Sequence, residues 1–342
     1  MNGQVSDLVK DARWYPDAVD VNNRAIQCLS TTRERLVEAA FLDQRMDRNG
    51  LQRRAVALTD LQALSAPAKA PRFIWHTAFC CSTLLARCLD RPGSNFSLKE
   101  PAILMGISNI KRNQGEAAAR NWLDPVLKLL ARPMSGEESV TIKPTNLVNN
   151  LVPDVMALSP QTQHVFLTSE LRAFLISIAK KGEAGRAFAR QMFTIFAMDG
   201  HPIAQTEHRQ LMQLSDLQIA ALVWHMQITV FQAALKAAKP GQAVWMDGDD
   251  FVSRPELALT AVDKHFDLGL GEAFAAETAK GPILSRDSKD QSRNYKARNR
   301  AAEAEKIAQS LGSELDAIIQ WSYSLFPHAP RNSRLDNALL PQ

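Results

Sequence analysis

The stretch Phe73 to Arg87, FIWHTAFCCSTLLAR, carries residue types that can hold an anion. Phe73, Ile74 and Trp75 are apolar and β-prone. Thr77, Ala78, Cys80, Cys81, Ser82 and Thr83 are small or hydroxylic. Leu84, Leu85, Cys88 and Leu89 then share one helical face. That order predicts strand, tight turn, helix. Free backbone N–H groups and the positive end of a helix make such a turn an anion site, and phosphate is the usual anion. Ser82 and Thr83 fall where the helix begins, placed to cap it or to touch a phosphate oxygen. The same pattern also describes an ordinary strand-turn-helix without a ligand. The glycines and lysine of G-x-x-x-x-G-K-[ST] are missing, which argues against an ordinary ATP or GTP hydrolase or kinase.

Other residues could do chemistry beside such a turn. Glu100 stands before Pro101 at a strand end or helix start, where it can face a helix dipole. Lys143 closes the buried-strand pattern Ser139-Val140-Thr141-Ile142-Lys143, where it faces a site or reaches water. Asp247 closes another strand. In a nucleoside triphosphatase that is a magnesium position; elsewhere it is a carboxylate bonding neighbouring loops. His225 sits in a segment apolar nearly all round and reads as a core histidine. His76 with Cys80, Cys81 and Cys88 matches no zinc spacing, and no metal is expected.

The segment HTAFCCSTLLARCLDRPGSNFSLKEP resembles the bacterial branch of the sulfotransferase family, whose members use a degenerate loop to hold the 5′-phosphosulfate of 3′-phosphoadenosine 5′-phosphosulfate (PAPS). The resemblance covers residues 72 to 300 discontinuously. It implies that Thr77, Ala78, Phe79, Cys80, Cys81, Ser82 and Thr83 hold the phosphosulfate. It implies that Glu100, with His76 as second candidate, takes the acceptor's proton, and that Lys143 steadies the transferring group. In cytosolic relatives the strand matching 139–143 ends in Lys-Thr-His or Lys-Ser-His, and that His is the base. Here it ends Lys143-Pro144-Thr145, so the burden shifts to Glu100 or His76. The family's 3′-phosphate motif, an Arg followed eight residues later by a Ser, falls on Ser169 and Ser177, with Arg172 available to supply the missing charge. Arg286, Lys289, Arg293, Tyr295 and Arg298 resemble the basic segment that closes over 3′-phosphoadenosine 5′-phosphate (PAP) in relatives, or else form a solvated loop. Gly248-Asp249-Asp250-Phe251 and His265 to Leu270 resemble two further family stretches. The departures are Phe79 where many relatives have lysine, Cys81 where they have glycine, and Ser169 where they have arginine. If position 81 needs a positive φ, cysteine there is strained.

These residues need a frame. Strands near 73, 96, 140, 165 and 244 alternate with helices at 116–131, 170–181, 183–198 and 207–238. That implies an α/β three-layer sandwich around a mostly parallel sheet, and the resemblance implies a P-loop nucleoside triphosphate hydrolase-like fold. Ligands in such sheets bind at the carboxyl ends of strands, and Phe79, Glu100, Lys143 and Ser169 all follow strand ends. Residues 1–68 are expected to be a helical N-terminal extension, on the pattern of Leu36, Val37, Ala40 and Phe41 after Ser30. Residues 69–342 then form the sulfotransferase-like domain.

The 342 residues are 46% hydrophobic and 22% charged, with a net charge of +4. That is ordinary for a soluble globular protein, too weakly basic to argue for nucleic acid, and compatible with a polyanionic nucleotide. Four cysteines, three in one turn and helix, show no disulfide framework. The N-terminus lacks a signal peptide's apolar core, and no apolar run reaches the roughly 18 residues that span a membrane. A cytoplasmic enzyme with a small-molecule or saccharide acceptor is expected. A non-catalytic nucleotide-binding scaffold, or an ATP-dependent small-molecule kinase, are the other readings.

Overall fold

The computed structural model describes residues 8–284, 305–330 and 335–341, apart from positions 63, 66, 137, 202 and 204–207. The chain opens with strands β1 (Trp14–Asp20) and β2 (Ala25–Ser30), helix α1 (Arg33–Glu38), strand β3 (Arg53–Ala57) and helix α2 (Leu58–Leu61). The alternating part follows: β4 (Arg72–His76), α3 (Ser82–Cys88), β5 (Asn95–Lys99), α4 (Ala102–Gln114), α5 (Glu116–Leu130), β6 (Ser139–Lys143), a 3-10 turn (Asn146–Leu151), α6 (Val152–Leu158) and β7 (Gln163–Thr168). Then come α7 (Leu171–Lys180), α8 (Gly182–Ala197), α9 (His208–Met212), α10 (Asp216–Ala237), β8 (Ala243–Asp247), α11 (Gly248–Ser253), α12 (Pro255–Phe266), α13 (Glu272–Lys280) and α14 (Gly312–Leu325).

Strands β4 to β8 form one parallel sheet in the order β5-β6-β4-β7-β8. β4 is central. Its side chains alternate between two apolar layers: Phe73 and Trp75 join the cluster that includes α4, α5, α7 and α10, while Ile74 joins the one built on α3 and α12. Burial on both faces makes the three-layer sandwich, and the strands are buried along most of their length even where, as in Asn95–Lys99 and Ser139–Lys143, polar and apolar residues alternate.

The N-terminal part is not the helical extension expected. β1, β2 and β3 form an antiparallel three-stranded sheet, and only six residues of the expected helix, α1, are helical there. Thr32 caps α1 by accepting from the Arg35 N–H. Apolar residues at helical spacing, Leu36 and Phe41, do reach the core, but a non-helical link carries the second one there. Local turn chemistry favours the hairpin: the Asp20 carboxylate accepts from the backbone and side-chain N–H groups of Asn23, and Arg24 takes a φ of 48°. This sheet packs into the same core as β4 through Tyr15, Ile26 and Val56. β1 lies so close to α4 that a Cβ at Gly106 would sit 2.7 Å from Val19 Cγ2.

The long helical stretch expected over 207–238 is two helices. Ser215 starts the second, α10, with a reciprocal capping box to Gln218. α10 is long and apolar enough to cross a membrane by length and composition alone, but 61% of that window is buried inside the protein. It is the helix that floors one side of the sheet, with Trp224, Ile228 and Phe231 fully buried.

Candidate active site

The turn after β4 is held in an unfavourable backbone shape. Ala78, Phe79 and Cys81 take φ values of 72°, 55° and 62°, each in the left-handed region that costs an L residue about 1–2 kcal/mol. Position 81 does take a positive φ, the condition under which a cysteine there is strained. Cys81 (φ 62°, ψ 18°) is followed by helical Ser82 at the start of α3. A left-handed residue followed by a right-handed one curls successive N–H groups into a concavity that suits an anion.

Neighbours enforce that shape. The Cys80 thiol donates to the Leu167 carbonyl at 3.3 Å. The start of α11 presses on the turn, since a Cβ at Gly248 would lie 2.5 Å from the Cys80 carbonyl oxygen. His76 ties the turn to the neighbouring strand end: its Nδ1 accepts from the Ala78 N–H at 3.0 Å, which leaves Nε2 as the donor to the Pro144 carbonyl, also at 3.0 Å. Both ring nitrogens of this buried imidazole are therefore committed to backbone.

A cavity of about 660 Å³ opens at the carboxyl ends of β4, β5 and β6. Ala78, Phe79, Cys81, Ser82 and Thr83 line it, together with His76, Glu100, Lys143, Thr145 and Asn146. Thr77 and Cys80 lie buried beneath, and the Thr77 hydroxyl finds no partner. Glu100 follows β5 with φ 57°, and its N–H donates to the Lys143 carbonyl at 2.6 Å. That left-handed step places the carboxylate against the next strand, where Lys143 Nζ donates to Oε1 at 2.5 Å. Lys143 is 1% exposed. The Glu100 carboxylate thus faces the cavity between two cations, the second being Arg45, which donates to Oε2 at 3.3 Å.

Arg45 was invisible to sequence reasoning. It pairs with Asp43, and its guanidinium lies 3.6 Å from the Phe41 ring centroid. Phe41, Asp43, Gln44 and Arg45 form one wall of the cavity, brought there by the N-terminal part. Nothing in their spacing signals this, because the contact to Glu100 spans 55 residues of chain.

The residues expected to meet a 3′-phosphate are less gathered. Ser169, just past β7, is buried, and its hydroxyl has no partner, while its carbonyl accepts from Trp224 Nε1 at 2.9 Å. Ser177 is half-buried on α7. Arg172, also on α7, is engaged by Asp316 of α14. None of the three lines the cavity. Arg286, Lys289, Arg293, Tyr295 and Arg298 lie outside the described residues.

Asp247 and His225 both make structural contacts. Asp247 caps α11, its Oδ1 accepting from the Asp249 and Asp250 N–H groups at 2.7 and 3.3 Å. Its Oδ2 is buried without a partner, and burial pushes the carboxyl up to about 7. His225 is a core residue: its Nε2 meets the Ser322 hydroxyl at 3.0 Å, its ring stacks on Phe326, and burial brings it down to about 4.

No family model and no curated protein matches the chain. Matches among solved structures include a sulfotransferase domain from the curacin biosynthetic pathway, at 14% identity and a TM-score of 0.43, covering 72% of this chain and 99% of that one. They also include the sulfotransferase STF1 from Mycobacterium tuberculosis H37Rv, at 13% identity and a TM-score of 0.38, covering 90% of each chain. Both scores lie below 0.5, where a likeness establishes neither fold family nor activity.

Proposed function

We propose that the chain is a sulfotransferase of P-loop-like architecture that moves a sulfuryl group from PAPS to a hydroxyl or amine of a small acceptor. The observation that carries this reading is the juxtaposition, in one cavity, of the strained anion-shaped turn with the Glu100–Lys143 pair. Backbone N–H groups of the turn, with the hydroxyls of Ser82 and Thr83, are the donors for the phosphosulfate. Glu100 takes the acceptor's proton as the sulfur–oxygen bond forms. Lys143, on the same carboxylate, holds negative charge on the transferring group and on the bridging oxygen released toward the nucleotide. Both charges are fixed before reaction, so the contribution is mainly positioning and electrostatics. His76 is the strut of the turn in this scheme rather than the base, because its ring nitrogens serve the backbone.

For the 3′-phosphate the fit is partial. Ser169 offers a buried hydroxyl in need of a partner. Arg172 would have to leave Asp316 to join it, and Ser177 with the basic residues 286–298 would complete the set. Thermal unfolding with PAP, with ADP, and with magnesium ATP tests the reading. A ligand at a hundred times its dissociation constant adds about 2.7 kcal/mol of stability. A shift with PAP alone is the expected result. A shift with magnesium ATP alone overturns the reading in favour of a kinase. Binding of PAP without turnover of PAPS on any of a panel of alcohols and amines leaves the nucleotide-binding scaffold.

A further inference from the structure

The segment that walls the cavity reaches Glu100 from the N-terminal sheet. Arg48 ties it to β1, donating from Nη2 to Asp17 Oδ1 at 2.7 Å and from Nη1 to the Asp43 carbonyl at 2.6 Å. Leu42 donates its N–H to the Lys99 carbonyl at 2.7 Å and accepts from the Ala102 N–H at 2.9 Å. The two residues it holds flank Glu100, whose own backbone is left-handed.

Arg45 extends that hold to the side chain. Its guanidinium lines the cavity and donates to Glu100 Oε2 at 3.3 Å, while Lys143 holds Oε1 at 2.5 Å. Arg45 is itself fixed from two sides. Asp43 Oδ1 accepts from its Nε and from its backbone N–H, each at 2.9 Å, and its guanidinium lies over the Phe41 ring. A cation on Oε1 alone leaves the carboxylate plane free to turn; a second on Oε2 fixes it.

The two cations are not equivalent. Oε2 is on the open side, since the Arg45 side chain is 57% exposed and that of Lys143 1%. Arg45 has a second carboxylate in Asp43, whereas the one ion pair of Lys143 among the described residues is with Glu100. When Glu100 becomes neutral, Arg45 keeps a partner and stays in place. The buried Lys143 ammonium loses its partner and becomes available to another anion.

We infer that Arg45 is a positioning residue: it orients Glu100 so that Oε2 receives the acceptor's proton, and it stays on Asp43 while Lys143 turns to the sulfuryl group. The inference rests on the sulfotransferase reading. In that step the acceptor's O–H or N–H bond breaks toward Oε2 and its heavy atom bonds to sulfur. The bond from sulfur to the bridging oxygen breaks, and PAP leaves with its electron pair.

Turnover is read as PAP released from PAPS by the full chain with the panel of alcohols and amines, and PAP affinity by calorimetry. Arg45→Met keeps the aliphatic stem and removes the charge. Its kcat is expected to fall about tenfold, part of the roughly hundredfold or more that a placed base supplies. Its dissociation constant for PAP is expected to stay within about twofold, because Arg45 touches the carboxylate and not the turn. Arg45→Lys is expected to recover most of the loss. In a Glu100→Gln background Arg45→Met is expected to cost nothing further, because its effect passes through the carboxylate. The inference alone is overturned if Arg45→Met turns over at the parental rate, if PAP binding weakens in step with kcat, if Arg45→Lys is as slow as Arg45→Met, or if the loss persists in Glu100→Gln. A parent that binds PAP and turns over nothing on the panel overturns the sulfotransferase reading as well.

Discussion

Removing the charge of Glu100 should cost the protein more than removing the charge of Lys143, although the two form one pair. Lys143 is 1% exposed and sits 2.5 Å from its partner. In Glu100→Gln its ammonium stays buried, with Lys99 nearby as a like charge. Removing one partner of a buried pair costs about 3–5 kcal/mol. The Glu100 side chain is 13% exposed and opens on a cavity, which lowers the expectation to about 2–3 kcal/mol. In Lys143→Met the carboxylate keeps Arg45 and water, so the cost should be about 1 kcal/mol. With both charges gone the double variant should also lose only about 1 kcal/mol, against a sum of singles of about 3–4, a coupling of roughly 2 kcal/mol or more. Urea unfolding of the four proteins at one ionic strength measures this. Singles that add to the double within about 0.5 kcal/mol would refute the coupled pair, and with it the electrostatic core of the proposed site.

Three further outcomes follow from burial and backbone shape. Cys81→Gly should raise stability relative to Cys81→Ala by up to about 1 kcal/mol, because left-handed strain is relieved by more than the glycine costs in the unfolded chain; urea midpoints read this, and a less stable glycine variant would contradict the φ of 62°. Burial brings His164 down from its ordinary value to about 3. Its contribution is present above the unfolded value near 6.5 and is lost as pH falls toward 3, because the unfolded chain then binds the proton the native one refuses. His164→Phe should therefore flatten the fall in stability over that window, even though Trp75 Nε1 loses its acceptor; an unchanged slope would refute this. Burial lowers Lys99 to about 7, so stability should rise from pH 7 toward 10.5 as the unfolded lysine loses its proton. Lys99→Met should abolish that rise in pH-dependent unfolding, and persistence of the rise would assign it elsewhere.

β4 and β7 were legible because a strand buried on both faces needs no alternation. Phe73–Trp75 and Val165–Leu167 are short apolar runs, and the observed ends, Arg72–His76 and Gln163–Thr168, lie within a residue of the expected ones. The strain at Cys81 was legible too, as a residue with a Cβ at a position suited to glycine. The antiparallel sheet was not. β1 contains Pro16 and Asp17 and breaks register between Pro16 and Ala18, so its period is interrupted where it should speak most clearly. The arginine in the site was illegible for another reason. Arg45 and Glu100 are 55 residues apart in the chain, and no local pattern encodes a contact made by tertiary packing. Ser169 and Arg172 were singled out only by the resemblance to a family motif, which carries no information on Asp316, the residue that engages Arg172 from α14.

The segment that walls the cavity is clipped to the parallel sheet by one residue in two directions: the Leu42 N–H donates to the Lys99 carbonyl, and the Leu42 carbonyl accepts from Ala102 N–H. On a ribosome that wall is made before its floor. Phe41 to Arg45 leave the exit tunnel before the rest of the cavity's lining, and both backbone groups of Leu42 wait in water until β5 and the start of α4 emerge some sixty residues later. Lys143, which completes the carboxylate's surroundings, comes about forty residues after that. The pocket is thus assembled late: Phe188 and Gln191, which also line it, emerge more than forty residues later still, so the cavity exists only once the chain is well past its midpoint.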